Sequence, residues 1–191
     1  RRGHQRVAQR AALRRQVARY TRMLEATNSH LDRLITTGIL AKDVAFDQGA
    51  TGPVERASGV DHDLRRDHPY AGYAGLEFAV PVQEAGDAHA REQVRIAELI
   101  ESIAMIQRIL ALLPDGPVAA DLDAPPAGAE ALGWAESPRG SLFYAVHFTA
   151  AGRLARVKIK SPSYSNWRAF AFTVHDSNMM DYAINEASFG M

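Results

Sequence analysis

Three short runs hold the residue types that could do chemistry. The first, D-H-D-L-R-R-D-H at 61–68, crowds His62, Asp63, Asp67 and His68 together. Imidazole and carboxylate groups are good ligands for zinc or iron. The spacing matches no recognised metal pattern, however, and Arg65 and Arg66 would repel a cation. The run therefore reads as an ion-paired, hydrogen-bonded loop rather than a metal site. Ser58 lies close by, but no strained strand-to-helix turn surrounds it, so a nucleophilic triad is unsupported. Gly49, Gly52 and Gly59 do not follow a strand and open a helix as a phosphate-binding loop does. The second run is E-S-P-R-G at 136–140. Pro138 fixes its own φ and removes a backbone donor, and Gly140 permits close backbone approach. Arg139 between them would be held stiffly with its guanidinium aimed at one point. Glu136 is the candidate partner to orient it. The third run, K-S-P-S-Y-S-N-W at 160–167, follows a strand-like segment.

The rest of the chain must position these runs. With 191 residues, 47% of them hydrophobic, it can bury a real core as one domain. The formal net charge of zero gives no general attraction to nucleic acid or anionic lipid. Arg1 to Arg22 nevertheless holds eight arginines and no acid. That stretch reads as a solvated helix face or as a surface for an acidic partner subunit. No nucleic-acid motif accompanies it. The absence of cysteine excludes disulfides and thiolate metal ligands within this sequence. No run reaches the roughly 18 apolar residues of a membrane span, and no signal peptide is visible. Both ends read as cuts through a longer polypeptide.

Periodicity gives the elements. Leu13, Val17, Tyr20, Leu24, Thr27, Leu31 and Leu34 alternate by four and three, which predicts one long helix stopping at Gly38. Residues 41–48 predict a short helix ending at Gly49. Residues 51–75 lack sustained periodicity and read as a long functional loop. Asp87 is the expected N-cap of a second long helix. Its stripe is Ile96, Ile100, Ile103, Gln107 and Leu110, and it ends before P-D-G-P at 114–117. The two long helices are expected to pack together. Residues 119–130 read as a linker. Leu142, Tyr144, Val146 and Phe148 predict a strand buried on both faces, and residues 155–160 a second strand, the two forming a hairpin around the turn at 150–153. Residues 166–175 read as a short helix capped by Ser165. The expected fold is α+β, mainly α: a long helix pair (1–118), the linker, then a β-hairpin and short helix (131–191).

In this order and spacing, T-G-P-V-E-R-A-S-G-V-D-H-D-L-R-R-D-H-P-Y-A-G-Y at 51–73, E-S-P-R-G and K-S-P-S-Y-S-N-W resemble the large subunit shared by membrane-bound nickel-iron hydrogenases and complex I (NADH-quinone oxidoreductase). The formate hydrogenlyase type is the nearest likeness, and the similarity runs nearly end to end. Family hydrogenases hold nickel and iron with four thiolates, from an R-x-C-G-x-C type motif upstream and a C-x-x-C type motif downstream. Complex I relatives lack the full set and reduce quinone beside an iron-sulfur cluster of the small subunit. This sequence begins after the upstream position, and N-E-A-S-F-G-M at its end looks like the family's run before the downstream motif.

The resemblance implies a hydrogenase large-subunit fragment in which Pro138 and Arg139 project over the reacting centre. Arg56, Asp63, Arg65 and His68 would lie in a loop facing the iron-sulfur small subunit. The fragment would carry no cofactor or metal itself; a nickel-iron centre belongs to the parent if its cysteine motifs are present. Membrane-arm subunits are the other implied partners, in a cytoplasmic assembly peripheral to the inner membrane. The alternatives are a quinone-reducing complex I subunit and a non-catalytic subunit-contact domain. Arg139, where complex I relatives usually have lysine, favours the hydrogenases, as does S-P-S-Y-S-N-W. Two departures stand against efficient proton delivery: Tyr144 where hydrogenases commonly have His, and Ser141 where the membrane-bound ones often have Glu.

Overall fold

The computed structural model describes residues 2–113, 116–117, 119–120 and 123–190, with side chains from residue 12 onward. The predicted first helix is two. Helix α1 (Arg2–Glu25) ends where Thr27 takes an extended conformation, and α2 (Asn28–Leu34) follows at once. The break has a local cause. Thr27 Oγ1 donates back to the Met23 carbonyl at 2.7 Å, and short polar side chains in the Thr-Asn-Ser run compete with helical backbone bonds. Leu34 is buried, Val17, Leu24 and Leu31 are half-buried, and Leu13, Tyr20 and Thr27 are exposed, so only part of the predicted stripe is covered. Gly38 has φ +61°, as its place after the helix requires.

Helix α3 (Lys42–Asp47) falls within the predicted 41–48. Residues 51–75, read from the sequence as one long ordered loop, contain short helical elements instead. They hold α4 (Pro53–Ala57), α5 (Leu64–Asp67) and a 3-10 turn at Tyr73–Gly75. Each helix is shorter than two turns, which is too short to show a period in sequence. Pro53 stands at the start of α4 and Asp63 caps α5 by accepting from the Arg65 amide. The second long helix, α6 (Ala88–Leu112), has the expected cap: the Asp87 carboxylate accepts from Ala90 N at 2.8 Å. It also accepts from Thr36 N at 2.9 Å, which ties the end of α2 to the start of α6. The buried face of α6 carries Ala90, Arg91, Val94, Ile103 and Met105, whereas Gln107 and Leu110 of the predicted stripe are exposed. Helices α1 and α6 pack together, as expected. Residues 114 and 115 of the expected stop lie outside the described residues, as do 121 and 122 of the linker.

The hairpin is one half of a three-stranded antiparallel sheet in the order β1 (Glu130–Ser137), β2 (Gly140–Phe148), β3 (Leu154–Lys160). Strand β1 is not apparent in the sequence; its Ala, Gly and Trp residues give no clean alternation. Nor is β2 buried on both faces. Gly140 and Ser141 are buried, but Tyr144 is exposed, its neighbours are half-buried, and β3 is exposed throughout. After the sheet come α7 (Pro162–Phe170), 3-10 turns at Ala171–Thr173 and Met179–Asp181, and α8 (Tyr182–Phe189). The cap of α7 is Ser161, which accepts from Tyr164 N with Pro162 in the first turn. Ser165, the expected cap, lies inside the helix and is buried. The main core joins Leu40, Ala45, Ala50, Val54, Ala169, Phe170 and Phe189, so α3, α4, α7 and α8 meet there. The result is a mixed, mainly helical α+β fold.

Candidate functional site

Helix α4 is the spine of the site. It is buried from end to end, including Glu55 and Arg56. Such a short helix reaches the interior only because each polar side chain on it finds a partner. Arg56 is 1% exposed. Its Nε donates to Glu98 Oε1 of α6 at 2.8 Å, and its Nη1 donates to the His62 carbonyl at 2.8 Å and to Glu136 Oε1 of β1 at 3.1 Å. Asp63 is fully buried and accepts from Arg65 Nε at 2.9 Å and Nη2 at 2.6 Å. It also lies 3.7 Å from Arg56 Nη1. One guanidinium therefore joins α4, α6 and β1, and a second pairs with the cap of α5.

The electrostatics follow from this arrangement. Burial works against the Arg56 charge, but Glu98, Glu136 and Asp63 outweigh it and raise its pKa. Burial also opposes the Asp63 charge, yet the Arg65 bonds hold that carboxyl below its usual range. Burial raises Glu136, with Arg56 pulling the other way. Glu55 is pushed up to about 7, mainly by burial; its Oε1 lies 3.2 Å from His62 Nδ1 and accepts from Gly52 N at 3.0 Å.

The E-S-P-R-G run is the two-residue turn between β1 and β2, with Ser137 opposite Gly140. Ser137 Oγ donates to the Gly140 carbonyl at 2.8 Å and accepts from Arg139 N at 3.3 Å. Gly140 has φ +123°, and Gly52, at φ +69°, lies so close that a Cβ on it would fall 2.4 Å from Gly140 Cα. No other residue fits either place. Asn166 of α7 secures the contact from behind: its Oδ1 accepts from Thr51 N at 2.8 Å, and its Nδ2 donates to the Thr51 carbonyl at 3.2 Å and the Arg139 carbonyl at 3.5 Å. Thus the three chemically suggestive runs converge on one junction. Arg139 itself has an exposed side chain.

One expectation needs correction. Glu136 does not orient Arg139. It bonds Arg56, and its Oε2 accepts from Leu64 N at 3.4 Å and Ser141 Oγ at 3.3 Å. Facing α4 and α5, it is used up by the frame. Of the four loop residues singled out in the sequence, His68 alone keeps its side chain outside the junction. Its ring is exposed, and only its carbonyl takes part, accepting from Trp134 Nε1 at 3.1 Å. Sequence reasoning also misses Arg95 and Glu98 of α6. With Arg91 and Ser102 they fall at helical spacing on one face of α6, a signal that is readable.

A cavity of about 490 Å³ opens beside the turn, with Arg56, Arg95, Glu98, Glu136, Pro138 and Arg139 in its wall. A second groove, of about 660 Å³, runs between α1, α6 and α8, and its wall is mostly apolar, including Val17, Leu34, Ile96 and Ile184. It borders none of the three chemically suggestive runs.

The family profile described as respiratory-chain NADH dehydrogenase, 49 Kd subunit, matches residues 5–126 and 122–191. The chain belongs to this family. It is 35% identical to the carbon monoxide-induced hydrogenase of Rhodospirillum rubrum over 159 residues, which cover 83% of this chain and 44% of that protein. It is 34% identical to an NADH-quinone oxidoreductase subunit of Methylacidiphilum infernorum, covering 75% of this chain and 41% of the relative. An F(420)H(2) dehydrogenase subunit of Methanosarcina mazei is 34% identical, covering 82% of this chain and 44% of the relative. The chain thus spans less than half the length of these curated relatives.

Proposed function

We propose that this chain is the cavity-forming part of the large subunit of a membrane-associated oxidoreductase, with proton reduction and hydrogen oxidation as the parent reaction. The observation that carries the reading is the Pro138–Arg139 turn. Its backbone is locked by Ser137, Asn166 and the Gly52 contact, while its guanidinium is left free at a cavity wall among the described residues. A cation fixed by its backbone pays no reorganisation cost when charge develops beside it, which is how preorganised groups accelerate reactions. Arg56, Asp63, Arg65 and Glu136 build the frame that holds the turn against α4 and α5.

The name of the Rhodospirillum rubrum relative supports hydrogenase chemistry, as does the resemblance of Arg139 in E-S-P-R-G and of the S-P-S-Y-S-N-W run to the hydrogenases. Electrons would arrive through an iron-sulfur small subunit, with membrane-arm subunits anchoring a cytoplasm-facing assembly. No described helix is long and apolar enough to cross a membrane.

A nickel-iron centre does not fit the residues present. The sequence has no cysteine, and among the described residues no three His, Asp or Glu side chains come together to hold a metal. Thiolates would have to come from residues outside this sequence. This chain's contribution is the fixed charge and the walls around it. The second reading, quinone reduction, is favoured by the family description and by the NADH-quinone oxidoreductase relatives. A contact-only role is the third.

The test is to purify the complex through this chain and to assay hydrogen evolution, quinone reduction and bound nickel together. Hydrogen evolution with stoichiometric nickel is expected. Quinone reduction without nickel would replace the first reading by the second, and neither activity would leave only subunit contact. The 191-residue chain alone is expected to retain no nickel or iron after dialysis against a chelator, because it supplies no thiolate.

A further inference from the structure

We propose that the cavity beside the β1–β2 turn binds one carboxylate-class anion between the guanidinium groups of Arg95 and Arg139. The inference rests on charge and hydrogen-bond accounting within the cavity, and it stands apart from the redox reading.

Four guanidinium groups line the cavity: Arg56, Arg65, Arg95 and Arg139. Three carboxylates face or back them. Glu98 and Glu136 are engaged by Arg56, and Asp63 by Arg65. Among the described residues, Arg95 and Arg139 remain without a paired carboxylate, and the group as a whole carries one excess positive charge. Behind them on α6, Arg91 donates to the Gly38 and Gly86 carbonyls, to Asn185 Oδ1 and to Ser188 Oγ, all neutral acceptors. Asp87, the cap of α6, favours the Arg91 charge, but burial outweighs it and lowers the Arg91 pKa. Glu98 is the acid that favours the Arg95 charge, and it is already engaged by Arg56.

Arg95 is the decisive residue. Its Nη1 donates to the Arg91 carbonyl at 3.3 Å, but its Nη2 is buried and has no hydrogen-bond partner among the described residues. A buried N–H of a charged group left unsatisfied is costly. Arg139 comes to the same spot: a Cβ built on Gly190 would lie 3.3 Å from Arg95 Nη2 and 3.5 Å from Arg139 Cγ. Burial, and then the nearby Arg139 and Arg56 charges, pull the Arg95 pKa down despite Glu98. An anion between the two guanidinium groups would satisfy the orphaned Nη2 and screen the like charges at once.

The excess charge argues for a monoanion rather than a phosphate dianion. A carboxylate also matches the planar guanidinium fork. Leu99 and Pro138 add apolar wall and Ser102 a hydroxyl, which suits a carboxylate on a small apolar body.

The experiment titrates the full 191-residue chain with sodium acetate, and separately with inorganic phosphate, at constant ionic strength made up with chloride. Binding is read by calorimetry and by the shift in Tm. Saturable acetate binding is expected, with phosphate weaker. Arg95→Gln should weaken acetate binding by about tenfold or more and raise Tm in acetate-free buffer, because an unpaired buried cation is gone. Arg95→Lys, which keeps the charge and loses the fork, should fall between. Arg153→Gln, at the far turn of the sheet, should bind like wild type. A non-saturable acetate response, unchanged binding in Arg95→Gln, or phosphate binding tighter than acetate would each overturn the proposal. None of these readouts needs an electron donor, so the anion site and the redox reading can fail separately.

Discussion

At its β1–β2 turn the sheet is tied to α4 by Arg56, to the segment after α5 by Tyr70 and to α7 by Asn166, with Glu136 N donating to Tyr70 Oη at 2.9 Å. At its β2–β3 turn it bonds to itself and to the end of the linker, through Gly128 N to the Thr149 carbonyl at 3.0 Å. The same strand β2 therefore begins buried and ends half-exposed. The contrast separates two uses of a strand. The inner end places a charged turn to within the tolerance of a glycine–glycine contact. The outer end leaves Leu154 and Val157 exposed. Residues whose chemistry matters gather where the backbone is locked.

Breaking the inner end should be the costliest change. Arg56→Met leaves Glu98 and Glu136 buried without their partner, and removing one member of a buried ion pair costs about 3–5 kcal/mol. Urea unfolding of the chain measures it. A loss below about 1 kcal/mol would mean that Arg56 does not join α4 to the sheet.

The next effect is a pH dependence. Burial pushes the Glu55 carboxyl up to about 7, from an ordinary value of 4.5. The folded chain thus keeps a proton that the unfolded chain releases across this window, so stability falls as pH rises through it. The loss is on the order of 3 kcal/mol at full ionisation. Glu55→Gln keeps an acceptor for Gly52 N and should flatten the profile between pH 4.5 and about 7. An unchanged slope would assign the titration to another group. Asp63 acts in the opposite sense and a lower window: its depressed pKa stabilises the fold above its ordinary value of 3.8, and that contribution is lost as pH falls below it. At the outer end, Leu154→Thr should change stability by no more than about 0.5 kcal/mol, since the side chain is already more than half exposed. A larger loss would show that this face is covered in solution.

Much of this arrangement is legible in the sequence. The Asp87 cap, the turn character of Pro138 to Gly140, and the clustering of Arg56, Asp63 and Arg65 follow from residue chemistry and local spacing. What is missed depends on distance along the chain. Glu136 lies three residues from Arg139 but bonds Arg56, which is 80 residues away, and no local pattern carries that pairing. Helices α4 and α5 are too short for a period, and α8 mixes Asn185, Glu186 and Ser188 among its apolar residues, so its inward face is not apparent. The α7 cap is a different kind of miss. Ser161 before Pro162 is a recognisable helix start, and it outranks Ser165 once the proline is given its weight. The both-faces burial expected for β2 fails because apolar residues on both sides of a strand do not guarantee that other elements cover them.

The smallest expected effect on stability belongs to the residue with the largest expected effect on rate. Arg139 has an exposed side chain, so Arg139→Lys should leave unfolding within about 0.5 kcal/mol of wild type. Lysine keeps the charge but loses the planar fork of donors. Loss of one preorganised donor typically lowers turnover by about 100-fold or more. The direct test is hydrogen evolution and quinone reduction by the intact complex, wild type against Arg139→Lys. A fall of about that size in hydrogen evolution, with stability unchanged, is the predicted result. Unchanged hydrogen evolution, or a complex that only reduces quinone and does so equally well with lysine, would contradict it.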